Sequence, residues 1–318
     1  MSTTVDTASN GEKLLTADGS ALYYALLYVK QPASVRVLET LKFIQTLSNT
    51  LNDVTEGDVA EKKIHWWHEE LTRLSKQQAR HPACIAVQSY LQSYLSIEAS
   101  LAILSATASE RYNSFDTEYA LNKTTRADYR ARLKLFEAAL DSPSRTNTQT
   151  STNPGTKTIN LKKKSELLLN NEGTSSLRRN DAIALGLGQF DRLNSLAKRL
   201  RNGYPVFSDE RYQEYGLMPE DLLNHPSKSA KVQQKKQALL DNAISNALAS
   251  VENAIGIISE PAVSKPTNLP IQILCMIRYA QLKLWKKRKT NLINESITLT
   301  PLRKFIIAYR CKRRFEQQ

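Results

Sequence analysis

Apolar residues spaced three and four apart recur along nearly the whole chain, and runs alternating on the two-residue period of a strand are absent. Such a chain can bury its apolar side chains only by packing helix faces together. The spacing predicts helices over residues 20–28, 33–51, 59–75, 84–107, 119–140, 179–200, 231–258, 270–290 and 300–313. In the third of these, Trp66, Trp67, Leu71 and Leu74 read as one buried stripe. With 318 residues, 41% of them apolar, the chain can fill one large core. The expected organisation is a flexible terminus over 1–18 and a single all-α domain over 19–318. A disordered insertion is expected at about 141–172, where DSPSRTNTQTSTNPGTKTIN lacks the apolar residues that would offset ordering entropy.

The net charge of +13 sits mainly at one end. Residues 1–110 hold 9 Lys/Arg against 12 Asp/Glu, whereas 281–314 hold 11 Lys/Arg against Glu295 alone. Lys286, Lys287, Arg288, Lys289, Lys312, Arg313 and Arg314 are therefore candidates for contact with an anionic membrane surface. No helix-turn-helix, zinc finger or aromatic stacking pattern accompanies them, so specific nucleic-acid binding is not expected. The N-terminal residues show neither a secretory nor a transit pattern, and no apolar run is long enough to cross a bilayer. The expected location is cytoplasmic, peripheral on the inner face of a membrane. Cys84, Cys275 and Cys311 lie too far apart in sequence to suggest a zinc motif or a disulfide framework.

Motif by motif, little catalytic chemistry is visible. His65, His68 and Glu69 share one side of a helix, but the order of a zinc-protease motif is missing; they read as a wet face. The LGLGQF segment at 185–190 has neither a preceding strand nor the third glycine of a nucleotide loop. No nucleophile motif occurs near the four histidines. The more telling feature is LKFIQTLSNTLND, where Ser48, Asn49 and Asn52 put three short uncharged side chains together in an otherwise regular helical pattern.

Five segments together resemble the squalene/phytoene synthase family of head-to-head prenyl-diphosphate synthases: SALYYALLYV at 20–29, AEKKIHWWHEEL at 60–71, RYNSF at 111–115, YGLMPEDLL at 215–223 and ESITLTPLRKF at 295–305. The resemblance implies an all-α isoprenoid synthase bundle with a central apolar cavity. It also implies two Asp-rich motifs at the cavity mouth, which hold magnesium on a departing diphosphate. The first of these falls on Ser48, Asn49 and Asn52, with Asp53 alongside. The second falls near Ser195, Lys198 and Arg199, with Asp191 the one acid between residues 182 and 208. Every aligned carboxylate is replaced, on the second wall partly by cations.

The resemblance therefore implies a synthase-like protein without metal and without cofactor, a pseudoenzyme acting as a lipid-binding or assembly protein, as some mitochondrial relatives do with respiratory complexes. Its expected partners are a prenyl lipid or prenyl diphosphate, an anionic membrane and a protein. Arg192, Lys198, Arg199 and Arg201 are the candidate diphosphate donors. The alternative is an active prenyltransferase that draws magnesium ligands from Asp53, Glu56, Asp58 and Asp191.

Overall fold

A computed structural model describes residues 19–52, 54, 56–141, 174–223, 229–259 and 269–317; the N-terminal residues 1–18, the expected insertion from residue 142 onward and Asp53 lie outside it. All regular structure among the described residues is helical. The helices are α1 (Ala21–Leu26), α2 (Ala33–Ser48), α3 (Gly57–Ser75), α4 (Pro82–Val87), α5 (Tyr94–Tyr112), α6 (Glu118–Asp141), α7 (Thr174–Asn194), α8 (Leu196–Arg201), α9 (Asp209–Tyr215), α10 (Pro219–Leu223), α11 (Ala230–Ile258), α12 (Leu269–Arg288) and α13 (Pro301–Phe315).

Two layers of packing meet on α6. Leu133, Phe136 and Ala139 face a large core shared with α7, α11 and α12, and Ala131 and Leu135 face a second core built from α2, α3, α4 and α5. At the centre of the larger core Phe190 stacks on Trp285 with centroids 5.1 Å apart, and both rings are almost wholly buried. The Trp285 indole N–H donates to the Ile297 carbonyl at 2.8 Å, so its polar tip is satisfied. A third, smaller core joins α1 and α13 to the start of α12.

Several expected helices end where a short polar side chain captures the backbone. The 84–107 segment is two helices, α4 and α5, because Ser93 caps α5 by accepting from the Ser96 N–H. The 179–200 segment is likewise divided: the Ser195 hydroxyl donates to the Asp191 carbonyl at 2.6 Å, and α8 starts afresh beyond it. The 33–51 helix stops at Ser48 with Asn49 as its C-cap, so the polar patch of the sequence lies at a helix end and not within one. The Trp pair also separates. Trp67, Leu71 and Leu74 are buried, whereas Trp66 is 41% exposed and packs edge-on against Trp67, as its 100° rotation around the helix requires. Two short helices, α9 and α10, were not anticipated; Gly216 closes α9 at φ 55°, a left-handed cap suited to glycine.

The two glycines of LGLGQF belong to helix packing. A Cβ on Gly186 would come within 3.1 Å of the Val251 backbone on α11, and one on Gly188 within 2.3 Å of the Thr125 methyl on α6. Their missing side chains let α7 approach both neighbours.

Candidate functional site

The end of α2 and the start of α8 face each other across a cleft of about 180 Å³, closed laterally by α5 and α6. Ser48, Asn49 and Asn52 form one wall, and Ser195, Lys198 and Arg199 the other. The structure thus brings together the two segments on which the resemblance places its motifs.

On the first wall each of the three side chains already has a hydrogen-bond partner. Ser48 Oγ donates to the Ile44 carbonyl at 2.9 Å and accepts from Arg132 Nη2 at 2.8 Å. Asn52 Nδ2 donates to Asn49 Oδ1 at 2.9 Å, and Asn52 Oδ1 accepts from the Tyr204 hydroxyl at 2.8 Å across the cleft. On the second wall Arg199 pairs with Glu110 at 3.1 Å and donates to the Pro205 carbonyl at 3.0 Å. Arg111 and Arg199 lie against the Tyr204 ring, each 5.6 Å from its centroid. Lys198 is exposed, and its ammonium has no hydrogen-bond or ion-pair partner among the described residues.

Two carboxylates that the sequence reading passed over complete the lining. Glu110 comes from α5 and Asp128 from α6. Asp128 is only 7% exposed; burial raises its pKa, and Arg132, whose Nε donates to Asp128 Oδ2 at 2.8 Å, works against that rise. Its Oδ1 faces no donor. Asp128 and Arg132 sit at i and i+4 on α6, a spacing that could have marked them as a pair. Only the fold reveals that the pair reaches Ser48.

The remaining candidates lie elsewhere. Asp191 points away from the cleft, accepting from the Tyr129 hydroxyl at 2.8 Å and pairing with Arg278 at 3.4 Å. Arg192 is buried against α6, where it donates to Thr125 Oγ1, and burial together with the charge of Arg199 lowers its pKa to about 10. Arg201 is exposed, bonds back to the Ala197 carbonyl at 3.0 Å, and lines a neighbouring groove of about 280 Å³ that also contains Lys198 and Trp285. The four proposed diphosphate donors therefore do not form one constellation: Lys198 and Arg199 alone share the cleft. Glu56 and Asp58 lie exposed at the start of α3 and do not line it.

His65 meets Glu69 at 3.3 Å on an exposed face of α3. Lys286, Lys287 and Arg288 are exposed on the last turn of α12, with Lys289 following at φ 49°; Arg313 and Arg314 are exposed on α13, and Lys312 pairs with Glu316 at 3.5 Å.

The donor set suits magnesium poorly. That ion takes near-octahedral hard oxygens, mainly carboxylate and water. Here one wall offers a hydroxyl bonded to Arg132 and two amides bonded to each other, and the other offers an ammonium and a guanidinium. The acids Glu110 and Asp128 are each paired with an arginine. Among the described residues no three His, Cys, Asp or Glu side chains gather where they could hold a metal.

No family model and no curated protein matches the sequence. Solved structures do match in shape. A dehydrosqualene synthase in complex with ligand superposes with a TM-score of 0.68 at 10% identity, covering 98% of this chain and 96% of that one. The squalene synthase HpnC from Alicyclobacillus acidocaldarius superposes with a TM-score of 0.61 at 14% identity, covering 90% of this chain and 97% of that one. These likenesses show the fold: the chain is an all-α bundle of the isoprenoid synthase type.

Proposed function

We propose that this chain keeps the isoprenoid synthase bundle without the metal-dependent condensation of prenyl diphosphates, and serves as a lipid-binding or assembly protein. The observation that supports this reading is the charge pattern at the cleft: the neutral Ser48, bonded to Arg132, and the mutually bonded Asn49 and Asn52 face Lys198 and Arg199. Cations at that wall repel a metal ion and attract a phosphate directly, through charge-assisted hydrogen bonds. At about 180 Å³ the cleft is roomy enough for a phosphate end group, and smaller than the roughly 300–1,000 Å³ that encloses a drug-sized ligand. A prenyl tail would have to extend beyond this cleft, whose neighbour is the groove of about 280 Å³ lined in part by Leu193, Trp285, Leu292 and Ile297.

The test is incubation with farnesyl or geranylgeranyl diphosphate, with and without magnesium, following both released diphosphate and melting temperature. The expected result is no diphosphate release and a stabilisation that does not require magnesium. Release above the protein-free control overturns the reading. Absence of stabilisation in either arm removes the lipid and leaves the assembly role.

A variant carrying Ser48→Asp, Asn49→Asp and Asn52→Asp is expected to form no squalene or phytoene. The new carboxylate at position 48 would pair with Arg132, 2.8 Å from the present hydroxyl, and Lys198 and Arg199 would still occupy the facing wall. Measurable condensation product from this variant would show that the opposite wall can be bypassed.

A further inference from the structure

The last helix has two apolar sides, and the fold uses one of them. Ala308 and Cys311 are buried against α1 and α12, together with Lys304, whose ammonium donates to the Gly19 carbonyl at 2.7 Å. Leu302, Phe305, Ile306 and Tyr309 follow the spacing i, i+3, i+4, i+7, and so line one side of the helix turned away from that contact. They remain 68%, 43%, 39% and 46% exposed. The sequence suggests an apolar face of Phe305, Ile306 and Ile307, but Ile307 packs partly buried into the α1–α12 core; Leu302 and Tyr309 take its place on the outer stripe. The rings of Phe305 and Tyr309 stack with an interplanar angle of 18°, giving the stripe a flat aromatic centre.

Among the described residues the charge along this helix is predominantly positive. Arg303, Arg310 and Arg314 are exposed along one border, and none has a carboxylate partner among the described residues. Arg313 stands at the carboxyl end, its guanidinium 3.4 Å from the Tyr309 hydroxyl. Burial, and after it the charge of Arg278, disfavours the charged form of Lys304, and Ile273 and Ile277 pack with Ala308 and Cys311, so the first half of α12 lies along the last helix and α12 runs antiparallel to α13. The exposed Lys286, Lys287, Arg288 and Lys289 therefore fall beyond the amino end of the stripe. From residue 281 to 318 the acids are Glu295 and Glu316 only, and Glu316 is engaged by Lys312.

We propose that α13 docks this chain on an anionic lipid bilayer, lying in the interface with Leu302, Phe305, Ile306 and Tyr309 turned into the lipid and the arginines on the headgroups. An exposed aromatic and aliphatic stripe bordered by arginine is the pattern of a helix that lies in a membrane surface. No described helix is long and apolar enough to cross a membrane, so the contact is with one leaflet. Charge complementarity selects the occupant: a bilayer rich in phosphatidylserine supplies a continuous negative plane to basic groups at the side and both ends of the stripe. The proposal concerns a surface remote in sequence from the cleft residues and does not depend on whether the cleft turns over substrate.

Co-sedimentation of the full chain with phosphatidylcholine vesicles, with and without phosphatidylserine, at low and high salt, tests it. The expected result is recovery with the anionic vesicles only, weakened by salt. The double variant Leu302→Ser, Phe305→Ser is expected to bind at least about tenfold more weakly, with its melting temperature preserved because both side chains face solvent. Should that variant fail to fold, the single variant Phe305→Trp provides the reading, with an expected blue shift of its added emission on anionic vesicles. Equal recovery with both lipids, unchanged binding by a folded double variant, or no emission shift overturns the proposal. So does tighter retention on random duplex DNA, or a dimer in light scattering that the double variant dissolves; those outcomes assign the stripe to nucleic acid or to a second copy.

Discussion

Gly188→Val is expected to cost about 3 kcal/mol or more of stability, the upper range for inserting carbon into a close-packed interior. The first added carbon alone would stand 2.3 Å from the Thr125 methyl and 2.9 Å from the Tyr129 ring. Neither neighbour is free to turn aside. Thr125 donates to the Leu121 carbonyl at 2.8 Å and accepts from Arg192, and the Tyr129 hydroxyl is tied to Asp191 at 2.8 Å. Helices α6 and α7 would have to part, and α6 carries both cores and the Asp128–Arg132 pair of the cleft. Gly256 on α11 is the control: nothing lies within 4 Å of a Cβ there, so Gly256→Ala should stabilise by up to about 1 kcal/mol through helix propensity. Thermal or urea unfolding of the two variants checks the opposite signs. A Gly188→Val chain as stable as the parent would show that the α6–α7 approach can relax.

Glu70→Gln should produce the second large loss, about 3 kcal/mol at neutral pH, or roughly 5 °C in melting temperature for a chain of this length. Glu70 is fully buried on α3 and holds the turn that follows the helix. One carboxylate oxygen accepts from the Arg80 N–H at 2.6 Å and the His81 N–H at 2.7 Å; the other accepts from Arg73 Nε at 2.8 Å. Burial by itself would raise the pKa of this acid, but the bonds from His81, Arg73 and Arg80 outweigh it and hold the pKa below the ordinary carboxylate value.

The sign of the pH dependence follows. Because the folded pKa is depressed, the stabilisation is fully present above the unfolded pKa, and it disappears as pH falls through the folded one. The parent should therefore lose stability in acid, and Glu70→Gln should remove that part of the loss. Unfolding midpoints of both proteins from pH 7 down to pH 3 provide the measurement. Parallel curves would mean that Glu70 is not the titrating clamp.

Much of the architecture was legible in the order of residues. Helix faces such as Trp67, Leu71 and Leu74 repeat on the helical period because burial acts on whichever side chains share an azimuth, and that is a property of spacing. The short uncharged side chains of Ser48, Asn49 and Asn52 could be read for the same reason, since side-chain chemistry needs no coordinates. The breaks at Ser93 and Ser195 were harder to anticipate. A serine in a helical pattern either faces solvent or captures a backbone group, and the choice depends on what packs nearby.

What only the tertiary structure decided is which groups meet. Asp191, Arg192, Lys198, Arg199 and Arg201 are close in sequence, yet they point to four different surroundings, because successive residues turn by 100° and the chain breaks at Ser195 between them. Glu110, Asp128, Arg132 and Tyr204 come from three separate stretches and converge on one cleft with Ser48 and Asn52. The glycines at 186 and 188 acquire a purpose only when α6 and α11 are set against them. The outer stripe of α13 is likewise invisible before packing. Its pattern alone shows apolar residues on two sides of a helix, and the fold determines that Ala308 and Cys311 go inside while Leu302, Phe305, Ile306 and Tyr309 are left in water. Local sequence fixes azimuth and chemical type; pairing between distant segments is set by how the whole set of helix faces can be buried at once.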